Sequence, residues 1–352
     1  MITIVPHSNE IYTVYGHSAL HLSNPAQNLD AVLNWGTFNF HTPFFLYRFM
    51  KGETDYFLSY VTYEEFIEYS QKENITVIEQ QLELSTEAKE QIFSLIIGNF
   101  LPENLYYRYD FLYDNCTTRI RDLIEKGTGH YLADPDTVGK VTYRELLHDC
   151  TKPYPWITFG LDLLIGSGAD APVTPRQELF LPMKLMDAVE NSSLVISENQ
   201  ILTAQNRVET QPKFWQSPWA AGILLLLIYS TIIVFGIVKH RRFRGALAVL
   251  FLVAGLSGII IAFTTLFSLH PCTSPNWNLL WLHPFHLIAF AGCLFKKSYR
   301  WVFWYHAVNF VILSALLIGW HGLPQQLNIA DWPYILCLWI ASGYWLYSVK
   351  RG

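Results

Sequence analysis

The chain has 352 residues, of which 51% are hydrophobic, 16% aromatic and only 15% charged, against about 25% charged in ordinary globular chains. That composition excludes a disordered chain and is too apolar for an ordinary soluble enzyme. The formal net charge of −5 hides a division: from Lys213 onward ten Lys/Arg stand against one acid, Asp331, while the first 212 residues hold 14 basic and 28 acidic side chains. The chain therefore reads as two domains, 1–212 and 213–352. The acidic balance of the first argues against a nucleic-acid partner.

Short alternating segments open the first domain and predict strands over residues 2–5, 17–22, 31–40 and 55–61, separated by turn-rich stretches such as Ser23-Asn24-Pro25. Apolar residues three and four apart predict helices over 63–73 and 85–98, with a strand over 75–84 between them. After 108–113, a further helix is expected from near Asp114–Cys116 to Lys126, where Gly127 and Gly129 stop it. From Thr142 to about Val195 the pattern is mostly helical, with a loop around 166–175. The sum is an α+β domain without internal repeats or a nucleotide-binding glycine motif.

Five apolar stretches follow, at 218–238, 245–269, 279–295, 301–320 and 332–349, none with an acidic or basic residue inside. Each has about the 17–25 residues that cross ~30 Å of hydrocarbon. Lys239, Arg241, Arg242 and Arg244 separate the first two, Lys296, Lys297 and Arg300 the third and fourth, and Lys350 and Arg351 close the chain. Positive loops stay cytoplasmic, so the C-terminus is expected inside and the first domain outside, with tryptophans such as Trp215, Trp281 and Trp320 near the span ends. An exported first domain implies export sequence ahead of Met1.

Of five cysteines, only Cys116 and Cys150 fall in the exported domain, where they could form a disulfide. No C-x-x-C pair is present, and His17 with His21 lacks a third and fourth ligand, so no metal is expected. Cys116 sits at the start of an expected helix, where unpaired N–H groups favour a thiolate, and Arg119 and Arg121 add positive potential. His17, on an expected strand in Tyr15-Gly16-His17-Ser18-Ala19-Leu20-His21, is the candidate base. Asp114 and Asn115 are candidate helix caps, and Ser18 reads as structural at least as well as catalytic. The apolar runs 156–165 and 179–186 read either as core-facing stripes or as guides for lipid chains. His283, His286 and His306 lie inside apolar stretches, where interhelical hydrogen bonding or contact with headgroups accounts for them equally.

Tyr15-Gly16-His17-Ser18-Ala19-Leu20, Asn34-Trp35-Gly36-Thr37-Phe38-Asn39-Phe40, Lys51-Gly52-Glu53-Thr54-Asp55-Tyr56 and residues 108–121 resemble successive motifs of the Lnb family. The five-stretch unit, with Asn276-Trp277-Asn278-Leu279-Leu280-Trp281, is similar to that family's membrane domain, so the resemblance spans nearly the whole chain. It implies a lipoprotein N-acyltransferase of the bacterial inner membrane, with a periplasmic, circularly permuted papain-like (NlpC-type) α+β domain followed by five transmembrane helices. It also implies Cys116 as nucleophile and His17 as base. The third, orienting position falls to Asn34, with His21 second, and Tyr15 matches the place of an oxyanion donor. The implied partners are a glycerophospholipid acyl donor and a diacylated lipoprotein acceptor, with no cofactor. Two other readings remain: a membrane-tethered cysteine hydrolase of peptide or lipid ester bonds, which would use the same Cys116–His17 pair, and a non-catalytic membrane scaffold whose outer domain binds lipoproteins.

Overall fold

The computed structural model describes residues 1–7, 10–205, 212–241, 243–295 and 300–349. The basic residues Arg242, Lys296, Lys297, Lys350 and Arg351, on which part of the expected orientation rests, lie outside the described residues. The chain divides into two compact units. The first comprises Met1–Thr151, Ala171–Glu209 and Leu269–Pro271, and the second Lys152–Asp170, Thr210–Ser268 and Cys272–Gly352. Residues 152–170 thus belong with the apolar half, although their sequence lies well ahead of the break in composition.

Seven antiparallel strands form the sheet of the first unit: β1 (Ile2–Ile4), β2 (His17–Asn24), β3 (Leu29–Phe38), β4 (Asp55–Thr62), β5 (Val77–Leu82), β6 (Tyr106–Arg108) and β7 (Val195–Leu202). Their spatial order is β6-β4-β3-β2-β1-β5-β7. The helices are α1 (Phe45–Lys51), α2 (Tyr63–Lys72), α3 (Thr86–Asn99), α4 (Cys116–Thr128) and α5 (Tyr143–Thr151). After α6 (Pro155–Leu164), which belongs to the second unit, come α7 (Pro175–Glu178) and α8 (Pro182–Glu190). Successive strand residues point to opposite faces, and here both faces are covered. Leu20, Leu33, Trp35 and Leu58 pack with Ile92 and Ile96 of α3, Ile120 and Ile124 of α4, and Leu185 of α8. Ile2, Ile4, Ala19 and Val32 pack with Phe66 of α2.

Local chemistry sets the helix ends. Thr62 and Glu65 form a reciprocal cap on α2, Ser85 caps α3, and Asn115 caps α4 through the N–H groups of Thr117 and Thr118. The cap of α4 is therefore Asn115. Asp114 instead makes a two-point ion pair with Arg119, at 2.6 and 2.8 Å. Helix α4 also runs through Gly127 and stops at Gly129, whose φ of +73° favours glycine. Gly127 serves packing: a Cβ there would lie 2.3 Å from Ile92, so its absence lets α3 and α4 close together. Strand β7 was not legible as a strand, because its centre, Glu198-Asn199-Gln200, is polar and exposed on the sheet edge. The run 179–186 is a core stripe, whereas 156–165 is mostly half-buried with Trp156 and Leu164 exposed. Leu163 packs on the core of the second unit, and Leu179, Leu185 and Met186 are buried in that of the first.

The second unit contains α9 (Pro218–Val238), α10 (Arg244–Phe267), α11 (His286–Leu294), α12 (Arg300–Ile318) and α13 (Asp331–Val349). Among the described residues, α9, α10 and α12 are long and apolar enough to cross a membrane. The third apolar stretch differs from the uninterrupted helix expected over 279–295. It holds a short 3-10 turn at Trp277–Leu280 and a nine-residue α11. Pro284 supplies the reason, since it lacks an N–H and disfavours a helical residue before it. Helix α13 has nineteen residues and is interrupted throughout by Trp and Tyr. The three histidines singled out in the sequence bond between and within elements: His283 to Asn309 (3.2 Å), His286 to Tyr305 (2.6 Å) and the Trp281 carbonyl (2.7 Å), and His306 to Ser342 (3.3 Å). The Asn276–Trp281 motif has a structural task as well. Asn276, Asn278 and Gln325 donate to the carbonyls of Leu163, Asp162 and Ile165 at the end of α6, where a helix leaves carbonyls without intrahelical donors.

Candidate active site

Cys116 is the first residue of α4 and is 9% exposed. Its first turn is held in place by the Asn115 cap, and the Asn115 amide also donates to the carbonyls of Phe111 and Phe180. A hydroxyl pair fixes the helix start against the sheet: buried Ser18 of β2 lies 3.2 Å from Thr117. The Cys116 sulfur is 3.7 Å from that same Thr117 hydroxyl. Ser18 is thus structural and close to the sulfur at once.

His17 opens β2. The β2–β3 register aligns Leu20 with Leu33, and continuing it three residues sets His17 opposite Gly36. A Cβ at position 36 would lie 2.7 Å from His17 Cε1, so Gly36 makes room for the imidazole. Asn34 stands where the β3–β4 ladder shifts register between Asn34 and Thr37, a bulge that redirects side chains. Its Oδ1 accepts the Gly36 N–H at 2.7 Å and meets His17 Nε2 at 2.9 Å. An oxygen cannot donate, so His17 carries hydrogen on Nε2, and Nδ1 is left for Cys116.

Cys116 and His17 titrate as a pair. Burial disfavours the Cys116 thiolate, but the charge and hydrogen bond of His17, the Ser18 N–H and the Thr117 hydroxyl outweigh it, and the pKa falls from 9.0 to about 7. Burial likewise opposes the imidazolium, but the thiolate and the bonds to Cys116 and Asn34 raise the His17 pKa. Both shifts favour the thiolate–imidazolium form. Arg119 contributes less than its sequence position suggests, because Asp114 neutralises it and its guanidinium lies 3.6 Å above the Tyr107 ring. Arg121 is paired with Asp122 at 2.7 Å.

Of the expected site residues, Cys116, His17 and Asn34 come together. His21 does not join them. It bonds Glu79 at 2.5 Å and Asp30 at 2.7 Å and stacks on Tyr63. Tyr15 packs edge-on against Phe111 at 5.0 Å; burial raises its pKa, and the charge that adds to this is that of Cys150, not Cys116. Cys116 and Cys150 are both free thiols, so the disulfide does not form in this structure. The tyrosines that feel the Cys116 charge are Tyr56, Tyr107 and Tyr109, each raised first by burial and next by that charge. Tyr107 donates to the Trp35 carbonyl, while Tyr56 stacks on Tyr109 at 4.1 Å. Tyr56 and Tyr109 fall in motifs singled out in the sequence and Tyr107 just outside one; the nearness of all three to the sulfur was not legible there.

Comparison with known families adds the origin of this arrangement. The Lnb N-terminal periplasmic domain matches residues 1–149, and the Lnb transmembrane domain matches residues 209–352. The chain belongs to the Lnb family. No curated protein and no solved structure matches it. As an Lnb protein it is a membrane protein with a periplasmic N-terminal domain, and the candidate site lies wholly in that domain.

Proposed function

We propose that this Lnb protein is a lipoprotein N-acyltransferase of the bacterial inner membrane, in which the Cys116 thiolate carries the acyl group. The observation that bears most weight is the His17–Asn34 bond beside Cys116, within an Lnb periplasmic domain. In the first step the sulfur attacks the ester carbonyl of a glycerophospholipid. The C–O bond breaks, imidazolium His17 gives its proton to the departing alkoxide, and a lysophospholipid leaves. In the second step the α-amine of a diacylated lipoprotein's N-terminal cysteine attacks the thioester. His17 takes the amine proton, an amide forms, and the thiolate is regenerated.

The developing oxyanion needs donors. The side chain and carbonyl of Asn115 take the N–H groups of Thr117, Thr118 and Arg119, so we assign the N–H of Cys116 itself to this role. Tyr15 is the expected second donor and Tyr109 one of three tyrosines within reach of the sulfur's charge; comparing Tyr15→Phe with Tyr109→Phe decides between them. The papain-like permuted topology and five membrane crossings expected from the sequence belong to the same proposal. Anchoring the domain in the membrane that holds both substrates replaces a search through solution by positioning at one surface.

The test is mass spectrometry of a lipoprotein N-terminal peptide from a strain without its own N-acyltransferase, expressing either the parent chain behind a functional export signal or Cys116→Ala. Triacylated peptide with the parent alone is the expected result. Triacylation by both removes Cys116 from the mechanism. Diacylated peptide from both, with protein present in the membrane, points instead to hydrolysis.

A further inference from the structure

Helix α1 and the turn before it present an unusual surface for a domain in water. Phe40 is 60% exposed, Phe44 82%, Leu46 69%, Tyr47 51% and Phe49 45%. A contiguous apolar patch of this kind marks an interaction surface. Phe44 holds φ at +57°, a left-handed conformation that residues with a side chain seldom adopt, at the point where its ring stands most exposed. The cations on α1 do not oppose an apolar partner, for Arg48 pairs with Asp55 (3.3 Å) and Lys51 with Glu53 (2.6 Å).

What covers this patch follows from the chain. The Leu269 N–H donates to the Lys51 carbonyl at 2.8 Å, and the His270 ring bonds the Phe49 carbonyl at 2.7 Å. Gly52, at φ +75°, leaves the room for this contact. Leu269 stands two residues after Phe267, the last residue of α10, a helix apolar enough to cross a membrane. Two residues of chain reach about 7 Å at most, so the strand of chain that holds α1 emerges directly from a span end.

From α1 a row of aromatic rings runs inward: Phe49 to Phe45 (6.0 Å), Phe45 to Phe38 (5.8 Å), Phe38 to Tyr56 (4.8 Å) and Tyr56 to Tyr109 (4.1 Å), with Tyr56 and Tyr109 near Cys116. A cavity of about 440 Å³ opens at Phe38 and Phe45 of this row, with Phe57 and Tyr106 on its apolar side and Arg48 and Asp55 among its polar lining, within the size range of small-ligand sites. Taking the acyl-transfer reading as its basis, we propose that α1 and the preceding turn dip into the periplasmic leaflet of the protein's own membrane, and that the aromatic row behind them leads a phospholipid acyl chain from that leaflet to the Cys116 sulfur. Aromatic side chains suit the boundary between headgroups and hydrocarbon.

The test uses the full chain in phosphatidylglycerol–phosphatidylcholine nanodiscs. With Cys116→Ala protein and a phospholipid bearing a diazirine on its acyl chain, light produces adducts on residues 40–49 as well as on the spans. Labelled spans with residues 40–49 unlabelled overturn the proposal. Independently, Phe44→Ser combined with Leu46→Ser is compared with the parent for Cys116 acylation by bilayer phospholipid and by soluble p-nitrophenyl butyrate. The ratio of the two rates falls about tenfold if the entrance matters, and an unchanged ratio overturns it. Should phospholipid fail to acylate even the parent, the acyl-transfer reading falls, while the diazirine labelling still decides whether α1 inserts.

Discussion

At Cys116, burial and the imidazole pull in opposite directions, and the imidazole prevails. Thiolate is the reactive form, so alkylation of Cys116 by iodoacetamide is expected to rise with a midpoint near pH 7. The sign for a variant follows directly. His17→Ala removes the charge that favours thiolate and leaves the burial that opposes it, so the midpoint moves above that of an ordinary thiol, about 8.5. At pH 7 the alkylation rate then drops by at least about tenfold. Peptide mass spectrometry follows Cys116 apart from the other four cysteines, and coincident midpoints in parent and variant would show the pairing to be inert. The candidate nucleophile and base were legible from residue type and from the helix start. The preference for Asn34 over His21 came from the family resemblance, whereas the register shift at Asn34 that accompanies its bond to the ring is not written in any local pattern.

The element that presents the candidate nucleophile is α4, held to α3 by the missing side chain of Gly127. A Cβ there meets Ile92 at 2.3 Å and the Ala88 carbonyl at 3.2 Å. Gly127→Ala is therefore expected to cost about 1–3 kcal/mol through overpacking, although alanine is the better helix former. Thermal unfolding in detergent, monitored by Cys116 exposure to a thiol reagent, measures it. Adding Ile92→Ala to Gly127→Ala recovers part of the loss if the clash is the cause. Glycine near a helix end reads in sequence as a stop, and the expected end at Gly127 followed that rule. What distinguishes Gly127 from Gly129 is a neighbour 35 positions away in the chain, which no local pattern contains.

For the whole molecule, charge placement makes a prediction of topology. Basic loops that alternate with uncharged ones put the C-terminus in the cytoplasm and the sheet domain in the periplasm. Fusion at the C-terminus is expected to give a fluorescent green fluorescent protein and an inactive alkaline phosphatase. The opposite pair of results would reverse the orientation. Membership of the Lnb family, with a periplasmic N-terminal domain, agrees with the expected placement of that domain.

The sequence by itself determined the membrane half, the α+β half and the residue types at the candidate site. Hydrophobic run length, strand alternation and helix-capping chemistry are local, and each is complete within a dozen or so residues. Tertiary structure decided the rest. It drew residues 152–170 into the second unit. It also set Ser18 against Thr117 across 99 positions of chain and brought Tyr56 and Tyr109 within reach of the Cys116 charge. These outcomes depend on strand register and on side chains packing between elements far apart in sequence, quantities that acquire values only once the sheet has closed on its helices.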